Sequence, residues 1–221
     1  PVMTRDRIKE AYRAAQENYA QWGVDTEKAL ARLDRIEISM HCWQGDDVTG
    51  LETGGAGASG GILSTGNYPY KPRNGDELRQ DIEAALRLLP GPQRLNLHAS
   101  YAEPAVSGLD RDRYDTAAFS RWMDWAADRK LPLDFNPTSF GHPMAADDLT
   151  LSHPDPGIRT FWIDHFRACR AIAADIGRRQ HSPCLVNHWV QDGMKDLTPN
   201  RYAYRERLRD ALDQVLMVRY P

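Results

Sequence analysis

The run Ile36-Glu37-Ile38-Ser39-Met40-His41-Cys42-Trp43-Gln44-Gly45-Asp46-Asp47 alternates apolar and polar side chains. It then ends in a histidine, a cysteine, a tryptophan and two carboxylates. Alternation with period two predicts a strand over residues 36–40. Titratable side chains just past the carboxyl end of a strand are where α/β proteins place their chemistry. The arrangement returns three times. Strand 94–99 carries His98, strand 131–136 ends at Asn136 before Pro137, and strand 184–190 carries Asn187, His188 and Trp189.

Amphipathic helices separate these strands. Ile8, Tyr12, Ala15, Tyr19 and Trp22 recur at helical spacing ahead of Gly23, and Asp25 can cap a shorter helix through Leu33. Asn74 and Glu77 resemble a capping box opening a helix over 76–89, which Pro90-Gly91-Pro92 stops. Asp115 caps a helix carrying Phe119, Trp122, Met123 and Ala126. Asp155 and Pro156 open the longest helix, expected to stop at Gly177, and Thr198 with Pro199 starts the last one, toward Val218. Strands alternating with helices imply parallel pairing with right-handed crossovers. A small doubly wound sheet and part of a (β/α)8 barrel both fit. Polar groups at all four strand ends favour the barrel, in which every strand faces one mouth. The expected fold class is therefore α/β, of the (β/α)8 TIM-barrel type. Residues 1–34 form leading helices and 35–221 the first four βα units, a half-barrel within a single domain.

Composition excludes several functions. With 28 Lys and Arg against 31 Asp and Glu, the net charge of -3 offers no basic surface for nucleic acid. No apolar run approaches the roughly 20 residues that a membrane-spanning helix needs. Pro1-Val2-Met3-Thr4-Arg5-Asp6 lacks the apolar core of a secretory signal. Cys42, Cys169 and Cys184 are odd in number and far apart, which suits reduced thiols of a cytoplasmic protein.

Gly55-Ala56-Gly57-Ala58-Ser59-Gly60 spells the dinucleotide-binding pattern, but no strand precedes it directly and no helix follows, so it reads as part of a long loop over 50–73. Cys184 with His188, or His41 with Cys42, are isolated pairs, not the doubled pairs of a structural zinc site. His165, on an apolar helix face beside Phe161, Trp162 and Cys169, reads as a core histidine. His98 is different, because an imidazole ending a strand can shuttle protons near neutral pH. Trp43 and Trp189, ending strands one and four, suit the apolar walls of a sugar pocket. For Asp134, periodicity alone does not choose between lining the interior and bonding a neighbour.

The assembled strand ends are similar to those of the L-rhamnose isomerase family. The likeness is carried by Ser39-Met40-His41-Cys42-Trp43-Gln44-Gly45-Asp46-Asp47, Thr65-Gly66-Asn67-Tyr68-Pro69, Pro90-Gly91-Pro92 with Arg94-Leu95-Asn96-Leu97-His98-Ala99, Leu133-Asp134-Phe135-Asn136-Pro137 and Asp192-Gly193-Met194-Lys195-Asp196. The resemblance implies a barrel that interconverts L-rhamnose and L-rhamnulose with divalent metal, usually Mn2+, as a cytoplasmic homotetramer. It assigns His98 to ring opening, hence catalytic and substrate-binding, and Trp43 and Trp189 to the pocket. The family's metal-binding Glu, Asp and His residues come from later strands, so no metal ligand is expected in this chain. The expectation is an N-terminal half, inactive alone, that associates with itself or with a missing half through its open sheet edges. A related sugar isomerase of other specificity, or a non-catalytic half-barrel that binds sugar or serves assembly, are the alternatives.

Overall fold

The computed structural model describes residues 4–41, 51, 72–103, 109–193 and 199–220. Most of the 50–73 loop with its glycine motif, Trp43, Thr198 and the run 194–196 lie outside the described residues.

The chain divides into two units, the first comprising residues up to Ile38 together with Leu89–Pro92. It holds helices α1 (Arg5–Ala20) and α2 (Thr26–Leu33). Gly23 turns the chain between them at φ +75°, a conformation that glycine adopts without a Cβ clash. The Asp25 carboxylate accepts from the Lys28 N–H at 3.0 Å, capping α2. Polar contacts join the pair: the Tyr12 hydroxyl and the Gln16 amide donate to Glu27 Oε1 at 2.8 and 2.9 Å. Neither helix buries a residue.

The second unit, Ser39–Leu88 with Gln93–Pro221, contains the sheet. Strands β1 (Ile38–His41), β2 (Gln93–His98) and β3 (Leu133–Asn136) lie side by side in sequence order. β2 and β3 are parallel, with Leu95, Asn96, Leu97 and His98 opposite Leu133, Asp134, Phe135 and Asn136. The period of two then separates the faces. Leu95, Leu97, Leu133 and Phe135 fall on one, and Asn96, His98, Asp134 and Asn136 on the other.

The apolar face packs with the helices α3 (Gly75–Leu86), α4 (Ser120–Asp128) and α5 (Pro156–Gln180). Leu78, Ile82, Phe119, Trp122, Trp125, Ile172 and Ile176 join the sheet residues in this core. Phe161, Trp162, Ile163 and Phe166 of α5 form a second cluster with Ala211 and Val215 of α6 (Arg201–Leu216). The parallel α/β arrangement expected from the alternation is thus present as a small sheet with its helices.

Several boundaries differ from expectation for identifiable reasons. The Asn74 side chain does accept from the Glu77 N–H at 3.0 Å, but the Glu77 carboxylate takes the Arg73 N–H and guanidinium instead of completing a reciprocal box. Asp115 caps a 3-10 turn (Thr116–Phe119) that runs into α4. Gly177 does not stop α5, which continues to Gln180 and ends with His181 in the left-handed region at φ 52°. A Cβ at Gly177 would sit 3.4 Å from Ser182 O and 3.5 Å from Cys184 N, ordinary contact distances to the returning chain. Asn200 caps α6 through the Ala203 N–H, and Thr198, expected to start this helix, lies outside the described residues.

The fourth predicted strand is reduced to one parallel bridge between Phe135 and Val186. Phe135 N–H donates to Leu185 O and Asn187 N–H to Phe135 O, both at 2.9 Å. After that the Trp189 N–H turns back onto Asn187 O at 2.9 Å, which ends the extended pairing.

Candidate active site

Parallel pairing in register brings the carboxyl ends of the strands together, and with them the polar residues of one face. At the end of β2, His98 is 2 % exposed. Its Nε2 lies 3.2 Å from His41 Nδ1 at the end of β1, and its Nδ1 lies 3.2 Å from Thr138 Oγ1, two residues beyond β3. The two imidazoles meet edge to face, with ring centroids 5.3 Å apart. Tyr101 stands beside His98 at 5.2 Å, its backbone carbonyl accepting the Trp122 indole N–H at 2.9 Å. This fixes the His98 ring from below and from both of its nitrogens.

Thr138 is held in turn. Its N–H donates to Asn136 Oδ1 at 2.8 Å and its hydroxyl to Asn136 O at 3.3 Å. The next residues reach toward the fourth segment: Ser139 Oγ lies 3.3 Å from Trp189 O, and Phe140 meets the Trp189 ring edge to face at 5.5 Å. One three-residue loop therefore touches both His98 and Trp189. Trp189 itself is 46 % exposed. Gln191 closes the loop from the other side, accepting from Ser139 Oγ at 2.7 Å and donating to Ser139 O at 2.6 Å.

Asp134 lies one level below His98 on the same face and is committed to an ion pair. Arg94 Nε and Nη2 donate to its two oxygens at 3.0 and 2.9 Å, and the Leu185 N–H donates to Oδ1 at 2.8 Å. Arg94 Nη2 also reaches Pro183 O at 2.6 Å. Burial raises the Asp134 pKa, but the Arg94 guanidinium, the Ser39 hydroxyl and the Leu185 N–H outweigh it and hold the carboxyl below its ordinary value. The question that periodicity left open is settled: Asp134 bonds neighbours and ties β2, β3 and the fourth segment together.

The remaining titratable groups of the fourth segment are inert at neutral pH. Burial, reinforced by the Asp134 carboxylate and opposed by Arg94, pushes the Cys184 thiol up to about 12. Burial and the nearby Arg170 charge lower His188 to about 4, so its imidazole is neutral. His165 is a fully buried core histidine whose Nδ1 and Nε2 lie 2.9 and 2.5 Å from the carbonyls of Arg111 and Pro137.

Of the residues expected at the site, His98 occupies the centre of this cluster, Trp189 borders the same loop, and Trp43 lies outside the described residues. Two contributors are not singled out as site residues by the sequence. His41 stands in it as a polar strand end and as a possible zinc partner of Cys42, and its strand end beside that of His98 is a usable signal. Nothing local marks Thr138. Among the described residues, no three His, Cys, Asp or Glu side chains lie close enough to hold a metal ion. The donors nearest the cluster do not fit one either, since the two imidazoles face each other and the Asp134 carboxylate is neutralised by Arg94.

Residues 6–220 match the model of the family described as L-rhamnose isomerase (RhaA). The chain belongs to the L-rhamnose isomerase family. Over 214 residues it is 50% identical to the L-rhamnose isomerases of Salmonella agona (strain SL483) and Salmonella heidelberg (strain SL476), a match covering 97% of this chain and 51% of each relative. The chain therefore spans about half the length of the curated relatives it matches. Within this L-rhamnose isomerase family chain, no described helix is long and apolar enough to cross a membrane.

Proposed function

We propose that this chain supplies the acid–base wall of an aldose–ketose isomerase that interconverts L-rhamnose and L-rhamnulose. The observation that carries the reading is the half-buried His41–His98 contact at the carboxyl ends of neighbouring strands, in a chain of this family. Opening a pyranose ring needs a base to take the proton from O1 and an acid to protonate the ring oxygen as the C1–O bond breaks. A histidine pair can hold and pass that proton near neutral pH. His98 is the catalytic centre of this wall, and Trp43 and Trp189 provide its apolar sides.

The architecture proposed is the first half of a (β/α)8 barrel, forming a single domain over residues 1–221. Neighbouring strands in sequence order, helices on one face and polar residues on the other all support it. So does Asn96 Oδ1, which is buried on the polar face with no hydrogen-bond partner among the described residues. In this reading the Mn2+ ligands and the rest of the pocket come from later strands, the chain alone is inactive, and the complete enzyme is a cytoplasmic homotetramer.

The test is conversion of L-rhamnose to L-rhamnulose, with and without Mn2+, by the 221-residue chain alone and with a co-expressed C-terminal half from a relative. Turnover only in the second case is expected. Turnover by the chain alone would overturn the division of labour, and none in either case would overturn the isomerase reading.

A further inference from the structure

The backbone that follows β3 is held by side chains and not by a sheet. Four consecutive carbonyls, from Pro137 to Phe140, each meet a side chain from another element. Pro137 O is 2.5 Å from His165 Nε2 on α5. Thr138 O and Phe140 O both accept from Arg111 Nη1, at 2.7 Å each. Ser139 O, between them, accepts from Gln191 Nε2 at 2.6 Å. Alternate carbonyls are thus taken by different partners: Arg111 from the 3-10 turn Arg111–Arg113, and Gln191 from the fourth segment.

Burial explains why the partners are needed. Ser139 is fully buried and Thr138 is 1 % exposed, and buried backbone oxygens require hydrogen bonds. Arg111 is itself 2 % exposed, and a buried guanidinium is costly unless its N–H groups are bonded. Thr138 also has φ 53°, in the left-handed region that a β-branched residue rarely occupies. Its N–H bond to Asn136 Oδ1 and the Arg111 bond to its carbonyl hold it there. Backbone strain of this kind persists where the surrounding structure enforces it, characteristically at functional sites.

Both ends of this loop touch the candidate site. Thr138 Oγ1 lies 3.2 Å from His98 Nδ1, and Phe140 meets the Trp189 ring with centroids 5.5 Å apart. One nitrogen of Arg111 therefore holds the two residues that contact the imidazole and the indole. We propose that Arg111 is a positioning residue of the site, with Gln191 as its counterpart on the intervening carbonyl, and that together they fix His98 and the Trp189 wall in one geometry. This rests on the roles of His98 and Trp189 proposed above. Arg111 acts through the loop backbone, and a guanidinium keeps its charge, so the hold does not change over the pH range in which imidazoles titrate.

The experiment reads the His98 imidazole and the Trp189 indole in nitrogen-15 spectra of the labelled chain, assigned with His98→Gln and Trp189→Phe. Arg111→Met, of similar length but without the guanidinium, should move both signals. Arg111→Lys, which keeps a cationic donor, should return both toward their wild-type positions. Gln191→Ala, which frees Ser139 O, should also move both, and it decides the outcome if Arg111→Met does not fold. Unchanged signals in a folded Arg111→Met chain would overturn the proposal, as would unchanged signals in Gln191→Ala. In the enzyme complemented with a C-terminal half, Arg111→Met should lower kcat about a hundredfold, the scale of a reacting group displaced by about 1 Å, and Arg111→Lys should recover most of it. Wild-type kcat in Arg111→Met would likewise overturn the proposal. The spectra need no turnover, so failure of the isomerase reading is seen separately, as absence of turnover in the complemented enzyme without substitutions.

Discussion

The two leading helices and α5 are equally regular, yet they are held in opposite ways. α1 and α2 bury no residue, and polar bonds from Tyr12 and Gln16 to Glu27 join them. α5 buries nine residues, eight of them divided between the sheet core and the α6 cluster. Trp22 shows the contrast most sharply. It is 84 % exposed, whereas Trp162 is fully buried with its indole N–H on Met144 O at 3.0 Å. Helical spacing of apolar side chains establishes that a helix can form. It does not establish that its apolar face is covered.

This contrast can be tested by substitution. Trp162→Ala should destabilise the second unit by about 3–5 kcal/mol, measured by urea unfolding, because it empties a large buried volume. A cost near zero would mean that the α5–α6 cluster is not a packed core.

Asp134→Ala should cost about 3 kcal/mol by leaving the half-buried Arg94 without its carboxylate. The pH dependence follows in sign from the lowered native pKa. The ion pair contributes fully above the unfolded carboxyl value of about 3.9 and is lost as pH falls through the lower folded value. Acid unfolding should therefore be steeper in wild type than in the variant, and parallel acid limbs would refute the assignment.

Gly75→Ala should cost about 2 kcal/mol, since a Cβ there would lie 2.5 Å from Glu103 Oε1. That carboxylate is buried and already paired with Arg79 and Arg121, so it has little room to yield. Substitution to alanine normally favours a helix, and a stabilised variant would show that the ion-pair cluster can shift. At the small end, Trp22→Ala should change stability by less than about 0.5 kcal/mol. A larger loss would show that the apolar face of α1 is covered in solution.

Legibility in the sequence varied with the range of the interaction. His98 was found because it ends an alternating strand, and its partner His41 lies 57 residues away, beyond any local pattern. The fourth strand has a convincing apolar run, yet it makes one bridge because the chain turns on itself at Asn187 and Trp189. Gly177 has the composition of a stop signal, yet the helix runs through it and ends at Gln180. The left-handed Thr138 leaves no compositional trace, because its conformation is imposed by Asn136 and not by its own preference.

By itself the sequence determined the order of strands and helices and the caps at Asp25, Asn74 and Asp155. Each of those carboxylates or amides bonds an N–H within three residues, so the chain's own geometry suffices. Only the tertiary structure decided which apolar faces are covered, where Asp134 spends its charge and which histidine stands beside His98. Those outcomes depend on parallel strand register, which brings together groups some 40 to 57 residues apart.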